Sequence, residues 1–214
     1  KHVFRMLLVA IICTTTSLIS TAQVSGYTFA QSTTTYSSIT GTALFPTNWD
    51  DNVQNLTLPF SFQFNGAVYT AVNVNSNGYI TFGTTVSSTT GYTPISATTA
   101  YSGAISAFGR DIIVSAAAET CTYTTLGTAP NRTFVVQWNN ARRYSGSSGL
   151  AGDVLNFQIR LSETTNVATV VYGTCSATST TSLTCQVGLR GSSNADYLNR
   201  TSTTSWSATT SGGA

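Results

Sequence analysis

Apolar and polar residues alternate along several stretches of this chain, a pattern typical of strands with one buried face. In the clearest run, residues 56–64, every second residue is apolar: Leu56, Leu58, Phe60, Phe62 and Phe64. Pro59 interrupts the polar positions between them. Because proline has no amide hydrogen to donate to a neighbouring strand, we expect this strand at a sheet edge or at a bulge.

Two Asn-Gly pairs follow this run and predict tight turns. Asn65-Gly66 leads into an apolar stretch at residues 68–74, and Asn77-Gly78 leads into residues 79–82. Asn-Gly is the strongest short-range hairpin signal, because both residues tolerate positive φ. Three strands joined by two such turns predict an antiparallel meander.

The second half of the chain repeats this alternation. Apolar residues share one face of two further predicted strands: Phe134, Val136 and Trp138 on the first, and Leu155, Phe157, Ile159 and Leu161 on the second. Asn156, Gln158 and Arg160 are predicted to face outward. Thr164-Thr165-Asn166 predicts a turn into a strand at residues 167–172. Further strands are expected at residues 27–39, 102–108 and 185–189, and a long loop at residues 84–100.

These short strands predict an all-β fold. Each strand buries one face, so two sheets must pack against each other, as in a two-layer antiparallel β-sandwich of the jelly-roll or immunoglobulin-like kind. A closed barrel remains the alternative. We predict a signal peptide at residues 1–22, the sandwich at residues 23–200, and a Thr/Ser/Gly-rich tail or linker at residues 201–214. The apolar part of the leader is too short for a permanent membrane span, so we expect none in the mature chain.

Composition excludes most catalytic chemistry. Lys1 is the only lysine and His2 the only histidine, and both lie in the predicted leader. The mature chain therefore lacks the imidazole of catalytic triads and the amine of Schiff bases, and we expect it not to be an enzyme. Without Lys1 and Arg5, seven Arg balance seven Asp and Glu, so we also expect no binding to nucleic acid. The one basic pair, Arg142-Arg143, is interpreted as a solvated strand end.

Carboxylates provide the remaining candidate chemistry. A glycosidase needs two of them at a defined separation, and the mature chain offers seven: Asp50, Asp51, Asp111, Glu119, Asp153, Glu163 and Asp196. Each has a plausible structural role in a turn or at a strand end, which disfavours a catalytic pair. Asp50, Asp51 and Asn52 offer oxygen ligands that suit calcium, and they are the candidate metal ligands. No other cofactor is expected.

Three cysteines remain after the leader, namely Cys121, Cys175 and Cys185. In an oxidising compartment two of them are expected to pair. Any of three pairings is possible. We favour Cys175 with Cys185, because they flank a Ser/Thr-rich loop between two predicted strands.

Aromatic residues in loops are candidate ligand contacts. Trp49, Tyr92, Tyr101 and Tyr144 lie in or near predicted turns. Such side chains bind glycans on β-sandwiches and also form hot spots in protein contacts, so they do not select a ligand class. For Trp49, packing in the core is the favoured alternative. Trp138, on an apolar strand face, is expected to be a core residue.

Several sequence segments resemble the N-terminal β-sandwich module of large secreted surface proteins of Bacteroidota. They are the segments at residues 75–83, 129–138, 156–166 and 187–191. In that family, fibronectin type III or similar repeats and a C-terminal sorting domain for type IX secretion often follow the module. The resemblance implies an extracellular or cell-surface location and brings no catalytic residue with it. We expect the chain to be the N-terminal part of a longer secreted protein.

These observations favour a non-catalytic extracellular module of an adhesin-like protein, which makes structural or adhesive contacts. The partner would be an extracellular glycan or a surface protein. Two alternatives stay open, namely a carbohydrate-binding accessory module of a secreted hydrolase and a subunit of an extracellular filament. The sequence does not decide whether the chain associates with itself.

Overall fold

The computed structural model describes residues 23–45, 49–114, 119–146, 148–177, 184–202 and 209–212. Within these ranges the secondary structure is one 3-10 turn at Val24–Gly26 and fourteen strands. The predicted leader lies outside the described residues.

The strands follow one another along the chain with no α-helix between them in the described ranges. They are β1 (Thr42–Ala43), β2 (Val53–Phe64), β3 (Ala67–Asn75), β4 (Tyr79–Phe82), β5 (Ala104–Gly109), β6 (Ile112–Ile113), β7 (Thr120–Leu126), β8 (Thr133–Ser145), β9 (Ser148–Gly149), β10 (Val154–Ser162), β11 (Ala168–Ser176), β12 (Gln186–Arg190), β13 (Tyr197–Ser202) and β14 (Thr209–Gly212).

The strands form two antiparallel sheets. In the first sheet the order is β1-β7-β8-β10-β11, and β6 and β9 also pair with β8. In the second sheet the order is β14-β13-β12-β5-β4-β3-β2. The inward side chains of both sheets share one buried core. The predicted two-layer antiparallel β-sandwich is therefore confirmed.

Stacked aromatic rings join the two sheets at the centre of the core. Phe108 on β5 stacks on Phe157 on β10 with ring centroids 5.6 Å apart, and Phe157 stacks on Trp138 on β8 at 5.0 Å. The Trp138 indole Nε1 donates a hydrogen bond to the Ser76 carbonyl at 2.9 Å. Trp138 is fully buried, as its strand position predicts, and its polar atom is satisfied across the core.

The alternating run at residues 56–64 lies in β2, the edge strand of the second sheet. Its apolar positions are buried, and Phe64 stacks on Phe82 with ring centroids 4.4 Å apart. The register with β3 shifts between Thr57 and Phe62, the interval that contains Pro59. Both expectations for Pro59, an edge strand and a bulge, are confirmed.

The two Asn-Gly turns form as predicted. Asn65 and Gly66 both have positive φ, at 49° and 74°, which is the pattern of a type I′ hairpin turn. Gly78 has φ 82°, and a Cβ atom at this position would lie 2.4 Å from the Phe108 carbonyl oxygen. Glycine is therefore required at residue 78 both by backbone conformation and by close packing.

The segment at residues 27–39 is not a strand, so that expectation is wrong. It crosses the outward face of the first sheet, and we call residues 35–40 the strap. The Tyr36 ring lies over Gly173 of β11, the Gln158 amide donates to the Ser37 carbonyl at 2.8 Å, and the Ile39 amide donates to Gln137 Oε1 at 2.9 Å.

The polar outward face of the first sheet explains the strap. Gln137 and Gln158 satisfy backbone groups of a segment that runs across the strands instead of along them. Gln158 faces outward as its alternation predicted, and the strap covers it, so it is 0% exposed.

The second sheet continues beyond residue 200. β13 crosses the predicted boundary, and Thr209–Gly212 pairs with it as β14, with Thr201 opposite Thr210. The prediction of a tail over residues 201–214 therefore does not hold for these two strands. β-branched Thr suits a strand as well as it suits a polar linker, so composition alone could not decide between them.

Arg143 is buried, contrary to the interpretation of a solvated basic pair. Its guanidinium contacts Asp153 through Nε at 2.7 Å and Nη2 at 2.8 Å, and both side chains are 0% exposed. The neighbouring Arg142 pairs with Glu119 at 2.5 Å. The Asp153 carboxylate, ten residues along the chain, makes burial of the Arg143 guanidinium possible.

Candidate functional site

A row of three buried asparagines holds the long loop at residues 84–100 against the second sheet. Asn73 and Asn75 lie on β3, and Asn77 lies in the turn that follows it; all three are 0% exposed. The Asn73 amide donates to the Thr85 carbonyl at 2.8 Å, and the Asn75 amide donates to the Ser88 carbonyl at 2.9 Å. The predicted loop is confirmed, and it covers the outward face of the sheet.

Arg190 and Gln186 of β12 hold the other end of this loop. The Arg190 guanidinium donates to the carbonyls of Ala97 at 2.8 Å and Thr99 at 2.6 Å, and it lies 4.5 Å from the centre of the Tyr101 ring. Gln186 Oε1 accepts a hydrogen bond from the Ile95 amide at 2.8 Å. Burial lowers the pKa of Arg190, and the carbonyl dipoles and the ring take the place of a counter-ion.

Three carboxylates meet below this loop. One oxygen each of Asp50, Asp51 and Asp111 lie within 4.8 Å of one another, and all three residues are half-buried. Asn77 of the asparagine row donates to Asp51 Oδ1 at 3.2 Å. Asp50 Oδ1 is buried and has no hydrogen-bond donor within the described residues.

Burial and mutual repulsion perturb this aspartate cluster. Burial, followed by the negative charges of Asp50 and Asp51, raises the pKa of Asp111 to about 6. Burial and the charge of Asp51 likewise raise the pKa of Asp50. The cluster therefore carries negative charge near neutral pH that the nearby Arg110 offsets only in part, and a cation or a proton would neutralise the rest.

The cluster differs from the calcium ligands expected from sequence. Asp50 and Asp51 are brought together, but the third carboxylate is Asp111 and not Asn52. The Asn52 side-chain amide donates to the Asp50 carbonyl, and its backbone amide donates to Ser76 Oγ at 2.9 Å. Asp111 was missed because it is distant in sequence and follows a different strand. These carboxylate oxygens could hold a hard cation, and calcium binding itself stays a prediction.

The other four carboxylates have structural partners. Glu119 and Asp153 form the ion pairs described above, and Glu163 receives two hydrogen bonds from the Arg132 guanidinium, at 2.8 and 2.6 Å. Asp196 accepts hydrogen bonds from the backbone amides of Val24 and Ser25. They therefore hold the fold together at these positions.

The structure separates the four aromatic candidates into two groups. Trp49 is 2% exposed and packs edge-on against Phe45, and Tyr101 is 8% exposed beneath Arg190. Both belong to the interior, so the expectation that they contact a ligand needs correction: their large apolar rings are covered by packing. Tyr92 and Tyr144 are exposed and remain available for contacts.

Cys121, Cys175 and Cys185 are free thiols in the structure, so the Cys175–Cys185 bond is not formed in it. Burial raises the pKa of Cys185 to about 12 and also raises that of Cys175, which keeps both protonated near neutral pH. The Tyr172 hydroxyl, which donates to the Ala107 carbonyl, lies near both thiols, which places them in one region. Pairing under oxidising conditions stays a prediction.

Comparison with known proteins identifies the family. A family model described as "NIDO related" matches residues 26–213, which include both sheets, the strap and the covering loop. No curated protein and no solved structure matches the chain. Among the described residues, no helix is both long and apolar enough to cross a membrane. The match covers most of the sequence, and the chain therefore belongs to the NIDO-related family.

Proposed function

We propose that this chain is a non-catalytic module of a secreted or cell-surface adhesin-like protein, in which it makes structural or adhesive contacts. NIDO-related domains are extracellular-type modules, and this one is β-rich. The single observation that carries the proposal is this family match over residues 26–213. In the fold, the strap packs on the outward face of the first sheet, and the loop at residues 84–100 packs on that of the second.

The use of the polar side chains supports a non-catalytic role. Four of the seven carboxylates are engaged in ion pairs or backbone hydrogen bonds. The three others form a cluster in which burial and repulsion raise the pKa of Asp50 and Asp111. A perturbed pKa can mark a catalytic acid, but none of the three aspartates lines either of the two cavities found among the described residues.

The surface supports contacts made without charge. Large apolar side chains stand exposed on several elements, among them Val68 on β3, Val167 before β11 and Tyr172 on β11. The surrounding surface is rich in Thr and Ser, and charged residues are 7% of the chain. Hydroxyl groups and isolated apolar side chains suit broad contacts with other surface molecules.

A carbohydrate-binding accessory role is the second candidate function. A groove lined by hydroxyl side chains of the strap and by Arg160 favours it. Pro59 and the bulge in β2 oppose strand addition at this edge of the second sheet, which disfavours a filament assembled through it. The strand-and-turn segments resemble those of secreted Bacteroidota surface proteins. On this basis we also propose that the chain is secreted and belongs to a Bacteroidota surface protein exported by type IX secretion.

Deleting the coding region for residues 23–212 from the gene tests the proposal. Cells of the source organism should retain growth on polymeric substrates but attach less to surfaces or to one another. Labelling of intact cells with an antibody against the chain should be lost as well. Unchanged attachment, or hydrolytic activity that disappears with the deletion, would refute an adhesive and non-catalytic role.

A further inference from the structure

A groove lies where the strap crosses the outward face of the first sheet. Its volume is about 440 Å³, within the range of small-ligand sites. The side chains that line it and matter here are Thr35, Ser37, Ser38 and Thr40 of the strap, Leu126 of β7 and Arg160 of β10. The four hydroxyl residues are exposed, so the groove opens to solvent.

Arg160 provides a fixed positive charge in this groove. Its Nε and Nη2 both donate to Gln158 Oε1, at 2.9 and 2.6 Å. Gln158 is itself held, because its amide donates to Gln137 Oε1 and to the Ser37 carbonyl, each at 2.8 Å. A chain of hydrogen bonds through the buried glutamines therefore orients the guanidinium toward the strap.

Arg160 differs from the arginines that stabilise the fold. Arg132, Arg142 and Arg143 each pair with a carboxylate. Arg160 makes no ion pair within the part of the chain that the structure describes, and its only hydrogen-bond acceptor there is the neutral Gln158 amide. Its charge is thus available to an external anion. Because Nε and one Nη2 hydrogen are used by Gln158, the Nη1 hydrogens and the second Nη2 hydrogen remain to bind a carboxylate with two parallel hydrogen bonds.

We propose that this groove binds an acidic sugar, with Arg160 on the uronate carboxylate. The four strap hydroxyls, each a donor and an acceptor, match the hydroxyl groups of a sugar ring. Leu126, which is 44% exposed, packs on the apolar face of the ring. The inference rests on the proposed contact role of the module and names a ligand class for it.

An acidic peptide is the competing ligand, and the groove favours the sugar. A peptide in extended conformation would need a free strand edge or a row of backbone partners. The strap instead offers side-chain hydroxyls from four residues within a short segment, next to a single fixed cation. Many hydroxyl contacts around one carboxylate correspond to the chemistry of a uronate.

Isothermal titration of the mature protein tests the inference. The probes are trimers of galacturonate, mannuronate and guluronate, with neutral cellotriose and the peptide Glu-Ser-Glu as comparisons. At least one uronate trimer should bind, and Arg160→Gln should weaken that binding at least tenfold. Arg110→Gln, which removes a guanidinium outside the groove, should leave it unchanged. Added salt should weaken binding to the wild-type protein.

Ser38→Tyr keeps the charge of Arg160 but fills the groove, so it should abolish binding. This variant tests the inference independently if Arg160→Gln perturbs the fold. The inference is overturned if no uronate trimer binds, if Arg160→Gln and Ser38→Tyr both bind normally, or if cellotriose binds equally well. Tighter binding of the peptide would overturn the sugar assignment. Cell attachment is measured separately. Because attachment does not require a uronate, normal attachment without uronate binding would refute the ligand assignment and leave the adhesive role intact.

Discussion

Arg143 and Asp153 form a fully buried ion pair between β8 and the turn that precedes β10. Two guanidinium nitrogens lie 2.7 and 2.8 Å from the two carboxylate oxygens, and the Arg143 backbone amide donates to the same carboxylate at 3.2 Å. The turn is thereby fixed to the strand beside it. A charge that loses its partner in this interior cannot be solvated, so removal of either partner should destabilise the fold.

Replacing Asp153 with Asn should destabilise the protein strongly. The guanidinium of Arg143 would stay buried without a counter-charge, and the free energy of unfolding should fall by about 3–5 kcal/mol. Urea unfolding followed by tryptophan fluorescence measures the change. Glu163→Gln breaks the partly exposed pair with Arg132 and serves as the control, with a much smaller loss expected. Equal losses in the two variants would contradict the assigned difference in burial.

Asn75→Ala should release the covering loop of the second sheet. The Asn75 side-chain amide donates to the Tyr79 hydroxyl and the Ser88 carbonyl, and its Oδ1 accepts a hydrogen bond from the Asn77 backbone amide. Loss of these buried bonds should cost about 2–4 kcal/mol. Hydrogen exchange should accelerate at residues 84–100 before it does so in the strands. Asn131→Ala at an exposed turn should leave this exchange unchanged, and an unaffected loop in Asn75→Ala would refute the role of the asparagine row.

Asp111→Asn should stabilise the protein at and above neutral pH. The folded pKa of about 6 exceeds the ordinary value of 3.8, so folding favours the protonated form. The stability that Asp111 contributes is present below about pH 4 and is lost as the pH rises through about 6. The gain in the variant should therefore be about 1 kcal/mol above pH 7, after discounting for solvent screening, and should vanish near pH 4.

Urea unfolding across this pH range measures the effect of Asp111→Asn. Glu163 provides a control of opposite sign, because its hydrogen bonds with Arg132 lower its pKa. Glu163→Gln should be less stable than the wild type at neutral pH, and the difference should shrink as the pH falls. A pH-independent effect of Asp111→Asn would contradict the raised pKa.

Gly78→Ala and Gly146→Ala separate backbone strain from close packing. Both glycines have positive φ, at 82° and 64°, but a Cβ at residue 78 would meet the Phe108 carbonyl at 2.4 Å, whereas no atom lies within 4 Å at residue 146. Gly146→Ala should cost about 1 kcal/mol, and Gly78→Ala should cost at least about 3. Thermal unfolding of both variants gives the comparison, and similar losses would show that the close approach is not maintained.

Local patterns predicted the elements whose causes are local. The alternation at residues 56–64 and the turn at Asn65-Gly66 concern only neighbouring residues, and both were predicted correctly. Pro59 marked the edge strand and the bulge because proline removes its own amide donor. The aromatic Trp138 was assigned to the core from its strand position.

The remaining features depend on partners distant in sequence. Residues 27–39 have strand-like composition, but the Gln137 and Gln158 amides hold the strap across the sheet. Arg143 was predicted to be solvated, because the sequence does not show that the fold pairs it with Asp153. Asp111 joins Asp50 only because the fold brings two separate loops together. None of these relationships leaves a periodic or adjacent signal in the sequence.

Retention of beads coated with the mature protein tests the proposed role most directly. The surface is extracellular matrix from the source organism, and the control beads carry the destabilised Asp153→Asn variant. The account predicts that wild-type beads resist flow, that control beads wash away, and that the matrix releases no soluble product. Equal retention of the two bead types, or release of matrix fragments by the wild-type protein, would contradict an adhesive and non-catalytic module.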